Sequence, residues 1–248
     1  FAKYDATYGE VTVAGSSTGQ GPVLGICIFK NDVTASTTVL AARQDASATT
    51  YSFYYYTAGI GWRKLTLDHS VTRPMTVSGL TVKKLRHVQF NFGGNNLVCF
   101  VDGVNPAIIF DGTHWEQLKK DQAGGYDSEN HDGGATGGGD CLDRPSLCAV
   151  FKNHLFLSGN AGLQSSVIAH SAPNDPYQFE ISTLAGQLSA GFDVVQLKPF
   201  RDNLFIFGSN AVKKITVNSS EKFSTEDVTS NVGCVAPDSV VEVGGDLV

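Results

Sequence analysis

Charge is scarce in this chain: Asp, Glu, Lys and Arg together make up 17% of its 248 residues, against roughly a quarter in ordinary soluble domains. Such a surface leans on Ser, Thr, Asn, Gln and Gly. The charge that is present has the wrong sign for gripping phosphates. The 18 Lys and Arg stand against 24 Asp and Glu, a net charge of -6, whereas nucleic-acid affinity comes from a basic surface that releases counterions. This argues against a domain that holds DNA or RNA, and leaves open one past which nucleic acid slides. Methionine occurs once, which argues against a flexible Met-rich groove. No apolar run reaches the roughly 18–20 residues of a membrane helix, and no basic-then-apolar leader opens the sequence. Helical periodicity is nearly absent. The best helical candidate, Trp115–Gln122, is too short to organise a domain and runs into Gly124-Gly125. The five cysteines, Cys27, Cys99, Cys141, Cys148 and Cys234, are odd in number and never form Cys-x-x-Cys. They signal neither a disulfide framework nor a zinc ribbon and read as buried or half-buried reduced thiols.

Catalytic signatures are missing too. Gly15-Ser16-Ser17-Thr18-Gly19 has the letters of a nucleophile elbow, but Gln20-Gly21-Pro22 leads into another strand where an elbow needs a helix. It reads as a polar hairpin loop. No phosphate-cradle or zinc-hydrolase motif occurs. The histidines (His69, His87, His114, His131, His154 and His170) lack the spacing that converges on a metal and read as surface or edge residues. The segment Ala123–Asp143 carries Asp127, Glu129, Asp132, Asp140 and Asp143, but their spacing matches neither an EF-hand loop nor a calcium nonapeptide. It reads as a solvated glycine-rich insertion. No catalytic, cofactor-binding or metal-binding residue is therefore assigned, and the expectation is a protein that is not an enzyme and needs no cofactor.

What the chain has is glycine, 27 of them, and short apolar runs of period two bounded by Gly, Asn, Asp or Pro, the pattern of turn-dense β structure. Candidate strands include Val23–Lys30, Thr38–Arg43, Thr50–Thr57, Arg63–Leu67, His87–Phe92, Leu97–Asp102, His154–Ser158, Asn203–Ser209 and Ala211–Val217. One unit recurs: an apolar strand, a polar turn of the Asn-x-Leu type, a second apolar strand ending in Gly, then a third strand. It reads HVQFNFGGNNLVCFVDG from His87, LCAVFKNHLFLSGNAG from Leu147 and VVQLKPFRDNLFIFGSN from Val194, and begins again as SVVEVGGDLV at Ser239. Its leucines, Leu97, Leu155, Leu204 and Leu247, are spaced roughly 58, 49 and 43 residues apart, bracketing the period of propeller blades. The longest gap contains the insertion. The spacing predicts an all-β, β-propeller-like array of short antiparallel blades, four or five units taken from a longer polypeptide. Residues 1–80 form a divergent β region, either a blade or a docking domain, and residues 81–248 form blades with the insertion at 123–143.

Three further features bear on packing. Tyr51-Ser52-Phe53-Tyr54-Tyr55-Tyr56, read as a strand, places Tyr51, Phe53 and Tyr55 on one face and Tyr54 and Tyr56 on the other, suited to packing between blades or against a subunit. Asp111-Gly112-Thr113-His114-Trp115 reads as a strand-ending turn with a buried Trp, with Ala58–Trp62 as its counterpart. Lys83-Lys84-Leu85-Arg86 reads as a solvated connection and not a phosphate site.

The runs Arg201–Ile215, Leu147–Gly162 and Ser171–Glu180 resemble the propeller blades of tail proteins in short-tailed bacteriophages: the nozzle, or tubular tail B, proteins and related tail-hub proteins below the portal. The resemblance covers roughly Leu85 to Val248 and carries no catalytic residue with it. It implies a structural virion protein of the tail or head-to-tail connector, assembled in the host cytoplasm into a homo-oligomeric ring, a hexamer in those families. Its expected partners are itself, the portal or adaptor and other tail proteins. DNA would pass through the ring channel without specific binding, and no membrane is involved. The other function weighed is a propeller-type glycan-binding or glycan-degrading tail module.

Overall fold

The computed structural model describes residues 22–32, 35–44, 51–57, 61–64, 84–112, 115–118, 144–160, 164–179, 184–218 and 222–248. Every regular element in them is a strand, and the strands form four successive four-stranded antiparallel sheets followed by a hairpin. Sheet one contains β1 (Val23–Asn31), β2 (Ser36–Gln44), β3 (Tyr51–Thr57) and β4 (Gly61–Lys64). Sheet two contains β5 (Arg86–Phe92), β6 (Asn95–Val101), β7 (Ile108–Phe110) and β8 (Trp115–Gln117). Sheet three contains β9 (Leu147–Phe151), β10 (His154–Asn160), β11 (Gln164–His170) and β12 (Gly186–Ser189). Sheet four contains β13 (Gln196–Phe200), β14 (Asn203–Phe207), β15 (Val212–Val217) and β16 (Phe223–Thr229). The hairpin is β17 (Glu242–Val243) and β18 (Asp246–Leu247). In each sheet the strands lie side by side in chain order. The first strands β1, β5, β9 and β13 adjoin one another from sheet to sheet, which makes the arrangement a propeller-like array of blades with the first strands innermost.

Local turn chemistry accounts for the recurring unit. Phe92 pairs with Asn95, Phe151 with His154, Phe200 with Asn203 and Val243 with Asp246. Each pair closes a two-residue turn between the first and second strands. A primed turn matches the twist of the flanking strands but requires positive φ at both central positions. Gly93-Gly94 and Gly244-Gly245 meet that demand with the same angles, 60° and 89°. Lys152 and Asn153 meet it without glycine, at 48° and 62°. The surrounding sheet must hold them there.

Packing between sheets is the main source of cohesion. Leu40, Phe29 and Phe53 of sheet one bury themselves against Phe100, Phe110 and Trp115 of sheet two. Ring centroids lie 4.7 Å apart for Phe53 and Trp115 and 4.3 Å for Phe110 and Trp115. Leu97, Cys99 and Ile109 of sheet two meet Leu155, Leu157 and Ala169 of sheet three. Phe156 and Ile168 of sheet three meet Leu204, Ile206 and Ile215 of sheet four. Each fully buried Leu, Ile or Phe stabilises by roughly 1.5–3 kcal/mol through burial alone. The recurring leucines Leu97, Leu155 and Leu204 all lie within these layers. Polar ties add to them. Tyr51 donates its hydroxyl to Asp102 at 2.9 Å, and Gln89 of β5 donates to the Ile28 carbonyl of β1 at 2.6 Å.

Equivalent rows across the first two sheets expose an asymmetry. Gln89, Val98, Phe110 and Trp115 lie in register across sheet two and face sheet one. The matching row of sheet one is Ile28, Val39, Tyr56 and Trp62, which identifies Trp62 as the counterpart of Trp115. On that outer face Ile26 and Ile28 are 57% and 53% exposed, and Tyr56 is exposed as well. At the far end of the array Val241, Val243 and Val248 are exposed around the final hairpin.

Two sequence expectations need correction. Trp115–Gln117 is the fourth strand of sheet two and not the start of a helix, because Phe110 pairs directly with Trp115 across the Asp111-Gly112 turn. The recurring unit also has four strands and not three. The missed strands β8, β12 and β16 are the last of their sheets. Phe223–Thr229 is half-buried to exposed throughout, so no apolar alternation marks it.

Candidate functional site

No residue is assigned a role from the sequence, so the candidate sites are what the fold brings together. The Gly15–Gly19 loop, the acidic insertion at 123–143 and His69, His114 and His131 lie outside the described residues. Among the described residues no three His, Cys, Asp or Glu side chains group so as to hold a metal ion. Cys27, Cys99 and Cys234 are buried and Cys148 half-buried, all as free thiols.

His87 is exposed, as expected for an edge histidine. His154 and His170 are not surface residues. They are 8% and 7% exposed, brought together across β10 and β11, with ring centroids 5.5 Å apart. Phe156 pairs with His170 in the register of these strands, and Phe223 of β16 meets both imidazoles edge-on at 4.8 Å. The Ser171 carbonyl lies 2.6 Å from His154 Nδ1 and 3.3 Å from His170 Nδ1. A carbonyl only accepts, so His154 donates its Nδ1–H there. Burial pushes His170 down to about 4, against the pull of the Ser171 carbonyl and helped by the neighbouring His154. Burial lowers His154 too. Two neutral imidazoles inside an aromatic box are part of the packing between sheets three and four.

A second cluster closes the array at the starting ends of the first strands. Asp238, held at φ 67°, accepts from Lys84 Nζ at 2.8 Å and Arg86 Nε at 2.9 Å. Arg86 Nη1 also donates to the Ser146 carbonyl just before β9. Two residues on, Val240 exchanges a pair of backbone-to-side-chain hydrogen bonds with Gln196 at the start of β13. The stretch after sheet four thus crosses back over the inner strands. The basic segment at 83–86 is therefore more than a solvated connection over its described part: Leu85 is buried in the core between sheets one and two, and Lys84 and Arg86 share the single carboxylate of Asp238. Both of these cations are already engaged by Asp238.

The opposite end of the array carries a cleft of about 420 Å³. Four stretches contribute: the end of β1 at Asn31, the β5–β6 turn, Asp111 after β7, and the loop at 174–177 after β11. Its floor is apolar, with Phe92, Leu97 and Pro176 buried. Its rim is polar, with Asn95, Asn174 and Asp175 exposed. Asp175 caps its own loop by accepting from the Tyr177 backbone N–H at 2.9 Å, and Asn174 donates its N–H to the Asn153 carbonyl at 2.8 Å. Sequence reasoning missed this cleft because no two of its stretches are neighbours in the chain.

These features define an all-β, propeller-like array of four four-stranded blades followed by a two-stranded hairpin, with a polar cleft at one end and Asp238 bound to Lys84 and Arg86 at the other. No protein-family model matches the chain, and no curated protein matches it. Among solved structures it is similar to the crystal structure of BBS1N in complex with ARL6DN, at 8% identity and a TM-score of 0.41. That match covers 88% of this chain and 58% of the other, so the chain spans less than two thirds of that protein's length. The fold rests on its own sheets and registers.

Proposed function

We propose that the protein is a non-enzymatic structural subunit of a bacteriophage tail or head-to-tail connector, built on propeller blades and assembling with copies of itself into a ring. The carrying observation is two groups of exposed apolar side chains among the described residues: Ile26, Ile28 and Tyr56 at one end of the array, Val241, Val243 and Val248 at the other. Two different surfaces at opposite ends suit a head-to-tail contact, and such contacts close into rings when the rotation allows. The stretches that resemble tail nozzle proteins, Leu147–Gly162 and Arg201–Ile215, fall on sheets three and four. The net charge of -6 suits a conduit wall that must not retain DNA. Its expected partners are the portal or adaptor and neighbouring tail proteins, and its expected place is the virion tail. Electron microscopy of the full-length protein with portal or adaptor proteins tests this. Rings, hexameric by resemblance, that engage the portal support it; monomers that ignore both themselves and the portal refute it.

A further inference from the structure

We propose that Cys99 and Cys148 form a site of oxidative modification, at which a peroxide closes a disulfide between sheets two and three. The inference rests on these two thiols and stands or falls separately from the tail assignment. Both belong to one layer: Cys99 of β6 lies in the core shared by sheets two and three, and Cys148 of β9 packs against that core. The Cys148 thiol is directed at the Cys99 carbonyl, with sulfur and oxygen 3.9 Å apart, and it lies within hydrogen-bonding reach of the Cys99 thiol. Cys27 lies in the core between sheets one and two, and Cys234 sits beside Ser239 after sheet four.

Backbone ties bring the pair together. Gly103 donates its N–H to the Pro145 carbonyl at 2.9 Å, and Arg86 Nη1 donates to the Ser146 carbonyl at 3.2 Å. Going back from Gly103 to Cys99 and forward from Pro145 to Cys148, the two chains run side by side in opposite directions, and β6 and β9 approach within 8 Å, Cα to Cα. A disulfide spans Cα atoms about 4.4–6.8 Å apart, so closing it needs only a local approach of these two strands.

The two thiols take different parts. Burial, with the Cys148 thiol beside it, holds the Cys99 thiol protonated well above its usual range. The thiolate is the nucleophile and access governs oxidation, so the first step falls to Cys148, which is half-buried where Cys99 is buried. The Cys148 thiolate attacks one oxygen of hydrogen peroxide; the O–O bond breaks, and hydroxide leaves and takes up the thiol proton as water. The product at Cys148 is a sulfenic acid. The Cys99 sulfur then attacks the Cys148 sulfur; an S–S bond forms, the S–O bond breaks, and hydroxide leaves with the Cys99 proton as a second water. Two thiols have lost two electrons and one peroxide has become two waters. A reducing cytoplasm keeps both thiols, and an oxidising exterior closes them.

Hydrogen peroxide treatment of the folded 248-residue chain, followed by alkylation, digestion with trypsin and Asp-N and mass spectrometry, tests the proposal. Asp-N cuts before Asp143 and so separates Cys148 from Cys141. The expected product is one pair of cross-linked peptides carrying Cys99 and Cys148, with two of the five thiols lost and both restored by dithiothreitol. Cys148→Ser should abolish the link and Cys141→Ser should leave it, while Cys99→Ser should leave a sulfenic acid at Cys148 that dimedone traps. Because the bond joins residues 49 positions apart, the oxidised chain should show an unfolding constant in urea about tenfold or more below that of the reduced chain. Four results overturn the proposal: Cys148 linked to Cys141 or to another cysteine in place of Cys99, both thiols intact after peroxide, a Cys99–Cys148 link that forms no faster in the folded chain than in urea, or an oxidised chain no harder to unfold than the reduced one.

Discussion

Acidification should loosen the junction between sheets three and four through His170. In the unfolded chain this imidazole titrates near its ordinary value of 6.5; in the fold burial lowers it to about 4. Above pH 6.5 both states are neutral and the pair has no pH dependence. Below 6.5 the unfolded state takes up a proton that the native state refuses, so stability falls with pH until the native ring titrates near 4. The gap converts at about 1.4 kcal/mol per unit, giving roughly 3 kcal/mol lost between neutrality and pH 4. His154 is lowered in the same sense and adds to the loss. Urea unfolding at pH 7.0, 6.0, 5.0 and 4.5, followed by Trp fluorescence and far-UV circular dichroism, measures the slope. His170→Asn places an amide where Nδ1 stood toward the Ser171 carbonyl and removes the titrating ring. Its absolute stability should be lower because the amide fills the aromatic box less well, but its pH slope over this range should be visibly flatter than that of the parent. A parent protein that loses less than about 1 kcal/mol by pH 4.5, or a variant with an unchanged slope, would refute the reasoning.

The two faces of β1 should respond oppositely to truncation. Phe29→Ala, which empties a site beside Phe110 at 5.1 Å, should cost about 3–5 kcal/mol in urea unfolding. Ile28→Ser, at a side chain 53% exposed, should stay within about 0.5–1 kcal/mol for the monomer while reducing self-association in sedimentation velocity; a large loss of monomer stability would show that Ile28 is covered. Tyr51→Phe removes the hydroxyl donated to Asp102 and should cost about 1 kcal/mol. The cost stays modest because Asp102 keeps its bonds from Val104, Asn105 N–H and the Asn105 amide; a change above about 3 kcal/mol would show that the tie organises the sheet junction itself.

Local chemistry made the blades legible. A two-residue turn is specified by its own residues, so Gly93-Gly94, Lys152-Asn153, Arg201-Asp202 and Gly244-Gly245 could be read as repeats of one hairpin. The second strands β6 and β10 are buried on both faces over Leu97–Val101 and His154–Ser158 and carry nearly continuous apolar runs there, and such a run is visible in one dimension. The outer strands are different. β16 holds its place by backbone pairing with β15 and keeps little apolar pattern, and the spacing around Trp115 is compatible with helix until Phe110 is seen beside it.

The sequence by itself determined the class: all-β, blade-like and low in charge, with no motif for metal, phosphate or covalent chemistry. Only the tertiary structure decided which residues meet. His154 and His170 are separated by a strand turn and become neighbours through antiparallel pairing. Lys84 and Arg86 find Asp238 because the chain crosses back over its own inner strands. The cleft joins four distant stretches because consecutive blades bring their same-side turns to one end. Turns and strand patterns are set by interactions a few residues apart, whereas a site depends on contacts between blades, whose partners are fixed by packing and not by spacing along the chain.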